Sequence, residues 1–242
     1  MYIFYKRYIK GGVDVEEKDK IMNGIRKIIG DKEIVWGIAK TSDINGITGY
    51  CCGIVIAQKY TEFLSYKKYS EEKYNEVLKN TKDVVDKKIN ELKAFFDEYK
   101  IDSYIPPLSQ RSESDLVAPV SFKYLAVNSG LGWIGKSSLL ITKEFGPRVR
   151  LGVILVNYRL DCGTPIVKSL CGNCEACVNA CPWNFIKNKL WNIYTERKEL
   201  IDFQSCNRKR SQYINENKTA SRKHNCGYCL LVCPYGCNEH NK

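Results

Sequence analysis

Apolar residues recur at helical spacing in two stretches of the first half of the chain. Residues 14–29 alternate polar and apolar positions in this way and stop at Gly30, which predicts an amphipathic helix. A longer apolar stripe runs from residue 74 to residue 99. It follows Ser70, whose side chain can cap the first turn of a helix. The stripe therefore predicts one long helix that ends near Lys100 and packs its apolar face into the core.

Three short runs rich in valine and isoleucine predict β-strands, because branched side chains favour extended backbone. These runs cover residues 33–39, 53–57 and 151–157. Pro106 and Pro107 begin a polar stretch that predicts a loop over residues 109–114.

The order of these elements predicts two domains. Helices and strands alternate up to about residue 160, which favours an α/β N-terminal domain over residues 1–160. Residues 160–169, which include Pro165, are typical of a linker. They lead into a cysteine-rich second domain over residues 161–242.

The cysteines of the second domain have the spacing of a bacterial two-cluster ferredoxin. The first run is C-x2-C-x2-C-x3-C-P over residues 171–182. In such a run three thiolates ligate one [4Fe–4S] cluster, and the cysteine before the proline ligates the other cluster. A partial copy, C-x2-C-x3-C-P, covers residues 226–234. Cys206 is the candidate for the ligand that this copy lacks.

Eight of the twelve cysteines therefore sort into two interleaved sets of four. The ligands predicted for the first cluster are Cys171, Cys174, Cys177 and Cys233. The ligands predicted for the second cluster are Cys181, Cys206, Cys226 and Cys229. Thiolates match the soft iron of such clusters, although two structural zinc sites are the alternative. Zinc ribbons use separate C-x2-C pairs rather than a triplet closed by Cys-Pro, so the pattern favours iron–sulfur clusters. The remaining cysteines are interpreted as buried small side chains or spare thiols: Cys51, Cys52, Cys162 and Cys237.

Length and hydropathy fit a cytoplasmic protein. A chain of 242 residues can bury a sizeable core, and its 44% of hydrophobic residues is ordinary for a globular protein. No apolar run approaches the roughly 20 residues that cross a bilayer, and the first eight residues lack the apolar core of a signal peptide. We therefore expect neither membrane insertion nor a disulfide framework.

The formal net charge of +11 is unevenly distributed. Residues 186–223 contain ten Lys or Arg against four Asp or Glu, with Tyr194, Phe203 and Tyr213 between them. Cations interspersed with aromatic rings can contact phosphates and stack on bases, which indicates a nucleic-acid surface. A solvated basic face is the alternative interpretation.

A glycine-rich run over residues 130–137 matches two phosphate-binding patterns, G-x-G-x-x-G and G-x4-G-K-S. A nucleotide-binding loop also needs a buried strand before it and an Asp that holds Mg²⁺ on a later strand. The later strand ends in Asn157, and Trp133 would crowd a triphosphate, so nucleotide binding is disfavoured.

Residues 129–150 resemble the signature of the epoxyqueuosine reductase family. The order of the glycine run, the apolar strand, the linker and the two cysteine runs is also similar, over roughly residues 115–237. The resemblance implies an α+β fold, with a nitroreductase-like α/β N-terminal domain followed by a two-cluster ferredoxin-like domain. It also implies an oxidoreductase related to reductive dehalogenases, in which two 4Fe–4S clusters pass electrons to a base-off cobalamin. The family's reaction is reduction of the epoxide of epoxyqueuosine in tRNA.

The family resemblance implies further site residues and partners. Reduced ferredoxin or flavodoxin would donate electrons, and tRNA would bind the basic segment 186–223. Asp115 is the candidate proton donor, one residue out of register with the family's acid, which aligns with Leu116; Tyr124 and Lys123 are alternatives. Two other functions stay open: an electron-transfer protein without cobalamin, and a corrinoid-handling reductase with a substrate other than tRNA. The residues implied for cobalamin binding are Gly130, Gly132, Trp133, Gly135, Lys136 and Ser137.

Overall fold

The structure, a computed structural model, describes residues 15–41, 48–107, 118, 120–217 and 226–237, with residues 211–217 described as backbone only. The predicted loop over residues 109–114 and the candidate acid Asp115 lie outside the described residues.

Two helices cover one face of the N-terminal part. Helix α1 is Val15–Ile29 and helix α2 is Glu71–Glu98, and the two pack against each other. Ser70 caps α2, because its hydroxyl accepts a hydrogen bond from the backbone N–H of Lys73 at 3.4 Å. Both helices confirm the prediction made from the spacing of apolar residues. Their apolar stripes bury seven residues of α2 and three of α1: Tyr74, Val77, Thr81, Val85, Ile89, Leu92, Phe96, Ile21, Ile25 and Ile29.

A four-stranded antiparallel sheet lies beneath these helices. Its strands are β1 (Ile34–Lys40), β2 (Cys52–Lys59), β3 (Ser103–Tyr104) and β6 (Val149–Val156), in the order β1-β2-β6-β3. The three predicted strands are therefore confirmed, and the two-residue β3 is added at one edge. Gly152 allows α2 to approach the sheet, because a Cβ atom there would lie 2.6 Å from Val85 Cγ1.

The opposite face of the sheet is covered by short elements. These are helix α3 (Phe122–Asn128) and a hairpin of strands β4 (Gly132–Ile134) and β5 (Leu140–Thr142). Leu125 of α3 packs with Val55 and Val153 in a second core cluster. The sheet is thus buried on both faces, which explains why the central strand β2 is apolar rather than alternating.

The cysteine-rich part contains little regular structure. Its helices are α4 (Ala176–Asn179), α5 (Arg197–Leu200), α6 (Phe203–Asn217) and α7 (Tyr228–Leu231), and α4 packs against α7. A 3-10 turn, Tyr66–Lys68, lies earlier in the chain. None of the helices in the described part of the chain is both long and apolar enough to span a membrane. The proposed division at residues 160 and 161 stays a prediction.

Candidate metal centre

The first predicted ligand set meets at a small cavity. Cys171, Cys174, Cys177 and Cys233 all line a space of about 20 Å³, between the hairpin and the cysteine-rich part. Cys229 reaches the same space from α7. The first cysteine run thus supplies three thiols, and the second run supplies the fourth.

The second predicted set meets at a larger cavity of about 250 Å³. Its four cysteines come from three segments of the chain: Cys181, Cys206, Cys226 and Cys229. The predicted interleaving therefore has a structural counterpart. Cys181 leaves its own run to face the second cavity, and Cys233 leaves its run to face the first.

Two short helices produce this exchange. Helix α4 carries Cys177 and is followed by Cys181, while α7 carries Cys229 and is followed by Cys233. In each case three residues lie between the two cysteines, and the helix ends within them. Helices α4 and α7 pack together. The cysteine within each helix and the cysteine that follows it can therefore face different cavities.

Burial makes Cys177, Cys229 and Cys233 weaker acids than an ordinary thiol, because it raises their pKa values. It raises the pKa of Cys177 to about 11, and the nearby thiols of Cys171 and Cys174 add to the effect. Burial likewise raises the pKa of Cys233 to about 12, while Arg148 acts against this rise. The pKa of Cys229 rises further, because it is buried beside Cys226. These groups are protonated at neutral pH, so cluster assembly must release protons.

A zinc ion and a four-iron cluster require different spacings of four thiolates. Among the described residues, no three Cys, His, Asp or Glu side chains are placed so that they could hold one ion. A tetrahedral zinc ion with Zn–S bonds of about 2.3 Å brings its sulfurs to roughly 3.8 Å from each other. A four-iron cluster separates its thiolates further, because each thiolate binds a different iron atom.

Arg148 fixes the segment that carries Cys233. Its side chain is only 3% exposed. The guanidinium group donates hydrogen bonds to the backbone oxygens of Leu231 at 2.5 Å, Cys233 at 3.1 Å and Tyr235 at 3.0 Å. Gly146 lies beside the same segment, where a Cβ atom would be 1.9 Å from the oxygen of Tyr235. The start of β6 and the second cysteine run are therefore in direct backbone contact.

The glycine run forms the β4–β5 hairpin and faces the first cavity. Gly132 has no room for a side chain, because a Cβ atom would lie 2.1 Å from the oxygen of Ile141. Trp133 is 1% exposed, and its Nε1–H donates a hydrogen bond to Cys171 Sγ at 3.5 Å. Lys136 is 4% exposed and donates to Asn188 Oδ1 at 2.8 Å. The run follows helix α3 and turns into a hairpin, so it lacks the strand–loop–helix context of a nucleotide-binding loop.

Three of the residues nominated for cobalamin binding, Trp133, Lys136 and Ser137, are buried. Gly135, Lys136 and Ser137 also line the first cavity. The assignment of the glycine run to a cobalamin site stays a prediction.

Lys123 and Tyr124, the alternative proton donors, lie next to the second cavity. Both line a neighbouring cavity of about 170 Å³, and Lys123 also lines the second cavity. Lys123 Nζ donates to the backbone oxygen of Ser138 at 2.7 Å. Burial, and to a smaller extent the charge of Arg197, lower the pKa of Lys123 to about 8. Tyr124 is 38% exposed.

The basic segment divides into two kinds of cation. Arg208 and Lys209 are exposed on α6, whereas Arg210 is half-buried and lines the second cavity. Arg197 also lines this cavity and lies 4.4 Å from the ring centre of Phe203. The sequence alone suggested that residues 208–210 form one basic patch. The helical geometry separates them, since successive residues on a helix point about 100° apart. Residues 218–223 lie outside the described residues.

The part of the chain that holds the two cavities matches a known family model. Residues 170–236 match the model of the 4Fe-4S double cluster binding domain. An epoxyqueuosine reductase from Aliivibrio fischeri is 36% identical over 139 residues, which is 56% of this chain and 36% of that protein. One from Listeria monocytogenes is 30% identical over 138 residues, 54% of this chain and 33% of that protein. The matches thus span about a third of the length of these curated relatives.

A solved structure extends the likeness to most of the chain. An epoxyqueuosine reductase with an epoxyqueuosine-modified stem loop of tRNA-Tyr has a TM-score of 0.60 at 18% identity, covering 91% of this chain and 65% of that one. At this identity the likeness concerns the fold. The predicted fold class, a nitroreductase-like domain followed by a two-cluster ferredoxin-like domain, is confirmed. So is the predicted relationship to the epoxyqueuosine reductases.

We expect Arg148→Lys to weaken the attachment of the Cys233 segment. An ammonium group cannot reach three carbonyl oxygens in the plane of a guanidinium, so the free energy of unfolding should fall by about 2 kcal/mol. Urea denaturation followed by circular dichroism measures this change. Arg159→Lys, at an exposed position, is the control and should have little effect. Equal stability of the two variants would show that the Arg148 contacts are not stabilising.

Proposed function

We propose that this chain, a relative of the epoxyqueuosine reductases with a 4Fe-4S double cluster binding domain, is an iron–sulfur oxidoreductase that transfers electrons through two [4Fe–4S] clusters. The observation that carries the proposal is that the four cysteines of each predicted set line one cavity, with Cys229 lying between the two cavities. Bound clusters would supply one-electron transfer. A small reduced protein such as ferredoxin or flavodoxin is the proposed donor.

The surrounding residues support this function in three ways. Cys171, Cys174, Cys177 and Cys233 would hold the first cluster, and Cys181, Cys206, Cys226 and Cys229 the second. Trp133 would donate a hydrogen bond to a ligand sulfur of the first cluster. Arg197 and Arg210 would place positive charge beside the second cluster. Hydrogen bonds and charges near the sulfurs set the reduction potential of such clusters.

Reduction of epoxyqueuosine in tRNA is the second candidate function, and the fold favours it. The solved relative that carries a tRNA stem loop covers 91% of this chain, so the likeness includes the N-terminal part as well as the cluster part. The exposed cations Arg208 and Lys209 support binding of an anionic polymer. The cobalamin of this reaction stays a prediction.

The experiment that separates the two functions is anaerobic. The clusters are reconstituted, cob(II)alamin is added and the EPR spectrum is recorded. A base-off cobalt signal in the presence of protein would support the tRNA-modifying reductase. An unchanged signal of free cob(II)alamin, with both clusters intact, would favour the electron-transfer protein without cobalamin.

Cys206→Ala should remove one cluster. The parent chain is expected to bind about eight iron atoms after reconstitution, because each [4Fe–4S] cluster contains four. The variant should retain about four, measured by iron and sulfide analysis. Cys237→Ala is the matched control and should retain about eight, because Cys237 Sγ donates to the backbone oxygen of Cys233 rather than facing a cavity. The opposite pattern would mean that the ligand assignment is wrong.

Trp133→Phe should make the reduction potential of the first cluster more negative and leave that of the second unchanged. Phenylalanine keeps the buried aromatic ring but lacks the N–H donor, so the sulfur of Cys171 carries more negative charge. Redox titration monitored by EPR measures both potentials. Trp191→Phe, another buried tryptophan of the same core cluster, is the control. Equal shifts in both variants would argue against the hydrogen bond as the cause.

Reversing the charges of Arg208 and Lys209 together should weaken tRNA binding. The affinity falls as salt rises, and each lost phosphate contact makes the slope of log affinity against log salt less steep by about 1. Loss of both contacts should therefore make the slope less steep by about 2. Fluorescence anisotropy at several salt concentrations measures this slope. The control reverses Lys67 and Lys68, which are exposed on the 3-10 turn and give the same change in net charge. Identical slopes would exclude this surface as the tRNA site.

A further inference from the structure

Three of the four cysteines that the cluster sets leave over lie close together. Cys52 and Cys162 are 110 residues apart in sequence, yet their Sγ atoms lie 4.0 Å from each other. Cys51 precedes Cys52 in the chain, while Cys237 lies elsewhere, beside Cys233. Two thiols in van der Waals contact, outside both cysteine-lined cavities, form a separate chemical group that the proposed electron-transfer function does not use.

Two backbone segments, strand β2 and the segment after β6, bring the two thiols together. Cys52 begins strand β2, where it pairs with Val156 of β6. The segment after β6 turns back over it, because the N–H of Leu160 donates to Cys52 Sγ at 3.4 Å. Cys162 Sγ in turn donates to the oxygen of Leu160 at 3.6 Å. The two sulfurs are thus held by one short stretch of main chain.

The stretch that carries Cys162 is itself fixed to the sheet. The N–H of Gly163 donates to the oxygen of Ile38 at 2.8 Å. Gly163 has no space for a side chain, because a Cβ atom would lie 2.1 Å from the oxygen of Ser129. Close backbone contact on both sides of the chain keeps the Cys162 thiol next to Cys52.

The two thiols differ in access to solvent. Cys52 is 3% exposed, whereas Cys162 is exposed. Burial raises the pKa of Cys52 to about 11, which keeps this thiol protonated at neutral pH. An external reagent therefore meets Cys162 first, and Cys52 is placed to react with whatever forms there.

Metal binding is a poorer explanation of the pair. Cys51, which also interacts with Cys52, contacts the oxygen of Val156 at 3.8 Å and Asn157 Oδ1 at 3.7 Å. Within the described part of the chain, no third Cys, His, Asp or Glu completes a site for one ion at this position. Two thiols without a third ligand are suited to forming a disulfide.

We propose that Cys52 and Cys162 form a reversible dithiol–disulfide site whose oxidant is a small-molecule disulfide. The Cys162 thiolate attacks the small disulfide, forms a mixed disulfide and releases one small thiolate, which takes the proton of Cys52. The Cys52 sulfur then attacks Cys162 Sγ, forms the protein disulfide and releases the second small thiolate, which takes up the proton that Cys162 had lost. The two cysteines lose two electrons and two protons, and the small disulfide gains both.

Closure of this bond would tie strand β2 to the segment that leads into the first cysteine run. Cys162 lies nine residues before Cys171, and the bond would close a loop of more than 100 residues. Cross-links that close long loops restrict the unfolded chain most, so the oxidised form should melt at a higher temperature than the reduced form.

The test uses the full chain with both clusters reconstituted, under anaerobic conditions. The protein is equilibrated in buffers with increasing ratios of glutathione disulfide to glutathione, free thiols are alkylated, and peptides are mapped by mass spectrometry without reduction. A peptide joining Cys52 to Cys162 should appear and disappear reversibly with the ratio. The oxidised chain should also lose two alkylatable thiols and melt at a higher temperature than the reduced chain.

Matched variants decide between the outcomes. Cys51→Ser and Cys237→Ser should retain the linked peptide, whereas Cys162→Ser, at an exposed position, should fold normally and lose it. A stable glutathione adduct on Cys162 at every ratio, or a link from Cys162 to Cys51, would overturn the proposal. Iron analysis of the same samples keeps the two hypotheses separate. Intact clusters without the link refute only this inference, while a chain that binds no iron refutes the proposed function.

Discussion

The buried guanidinium group of Arg148 is the interaction that connects the sheet to the cysteine-rich part. It stands at the start of β6 and satisfies the backbone oxygens of Leu231, Cys233 and Tyr235. Buried carbonyl groups need such partners, since an unpaired one costs about 1–3 kcal/mol. Because Cys233 is the only ligand that the second run contributes to the first predicted set, this contact holds the first cavity together. The glycine contacts at Gly146 and Gly236 make the close approach sterically feasible.

The two cysteine-lined cavities, in contrast to the Arg148 contact, add little to the stability of the fold on their own. Eight thiols converge in partly buried space, and burial raises the pKa of several of them well above its ordinary value. Such an arrangement gains little from the thiols themselves, because they make few strong hydrogen bonds. Coordination of a soft metal centre would convert the same sulfurs into tight ligands, so metal binding and folding of this part are expected to be coupled. Arg197, Arg210 and Lys136 lie beside the cavities and can balance the negative charge of bound clusters.

The glycine run shows how one string of residues can suggest several functions. As a sequence it matched dinucleotide and triphosphate patterns, and by family resemblance it suggested cobalamin binding. In the structure, Gly132 allows the hairpin to close and Gly135 approaches Cys171, where a Cβ atom would lie 3.5 Å from Sγ. Trp133, between them, reaches the same sulfur. Gly132 and Gly135 are therefore explained by close packing against Ile141 within the hairpin that lies beside the first cysteine set, an interaction that no local pattern reveals.

The sequence by itself determined the features that depend on local spacing. The period of apolar residues predicted α1, α2 and the three long strands, and the cysteine spacing predicted which thiols share a cavity, because two or three residues between cysteines restrict where each can point. Only the tertiary structure decided features that join distant segments. These include the antiparallel strand order, the role of Arg148, the separation of Arg210 from Arg208 and Lys209, and the meeting of Cys52 with Cys162. Such contacts arise from the packing of whole elements, so their residues carry no shared signal along the chain.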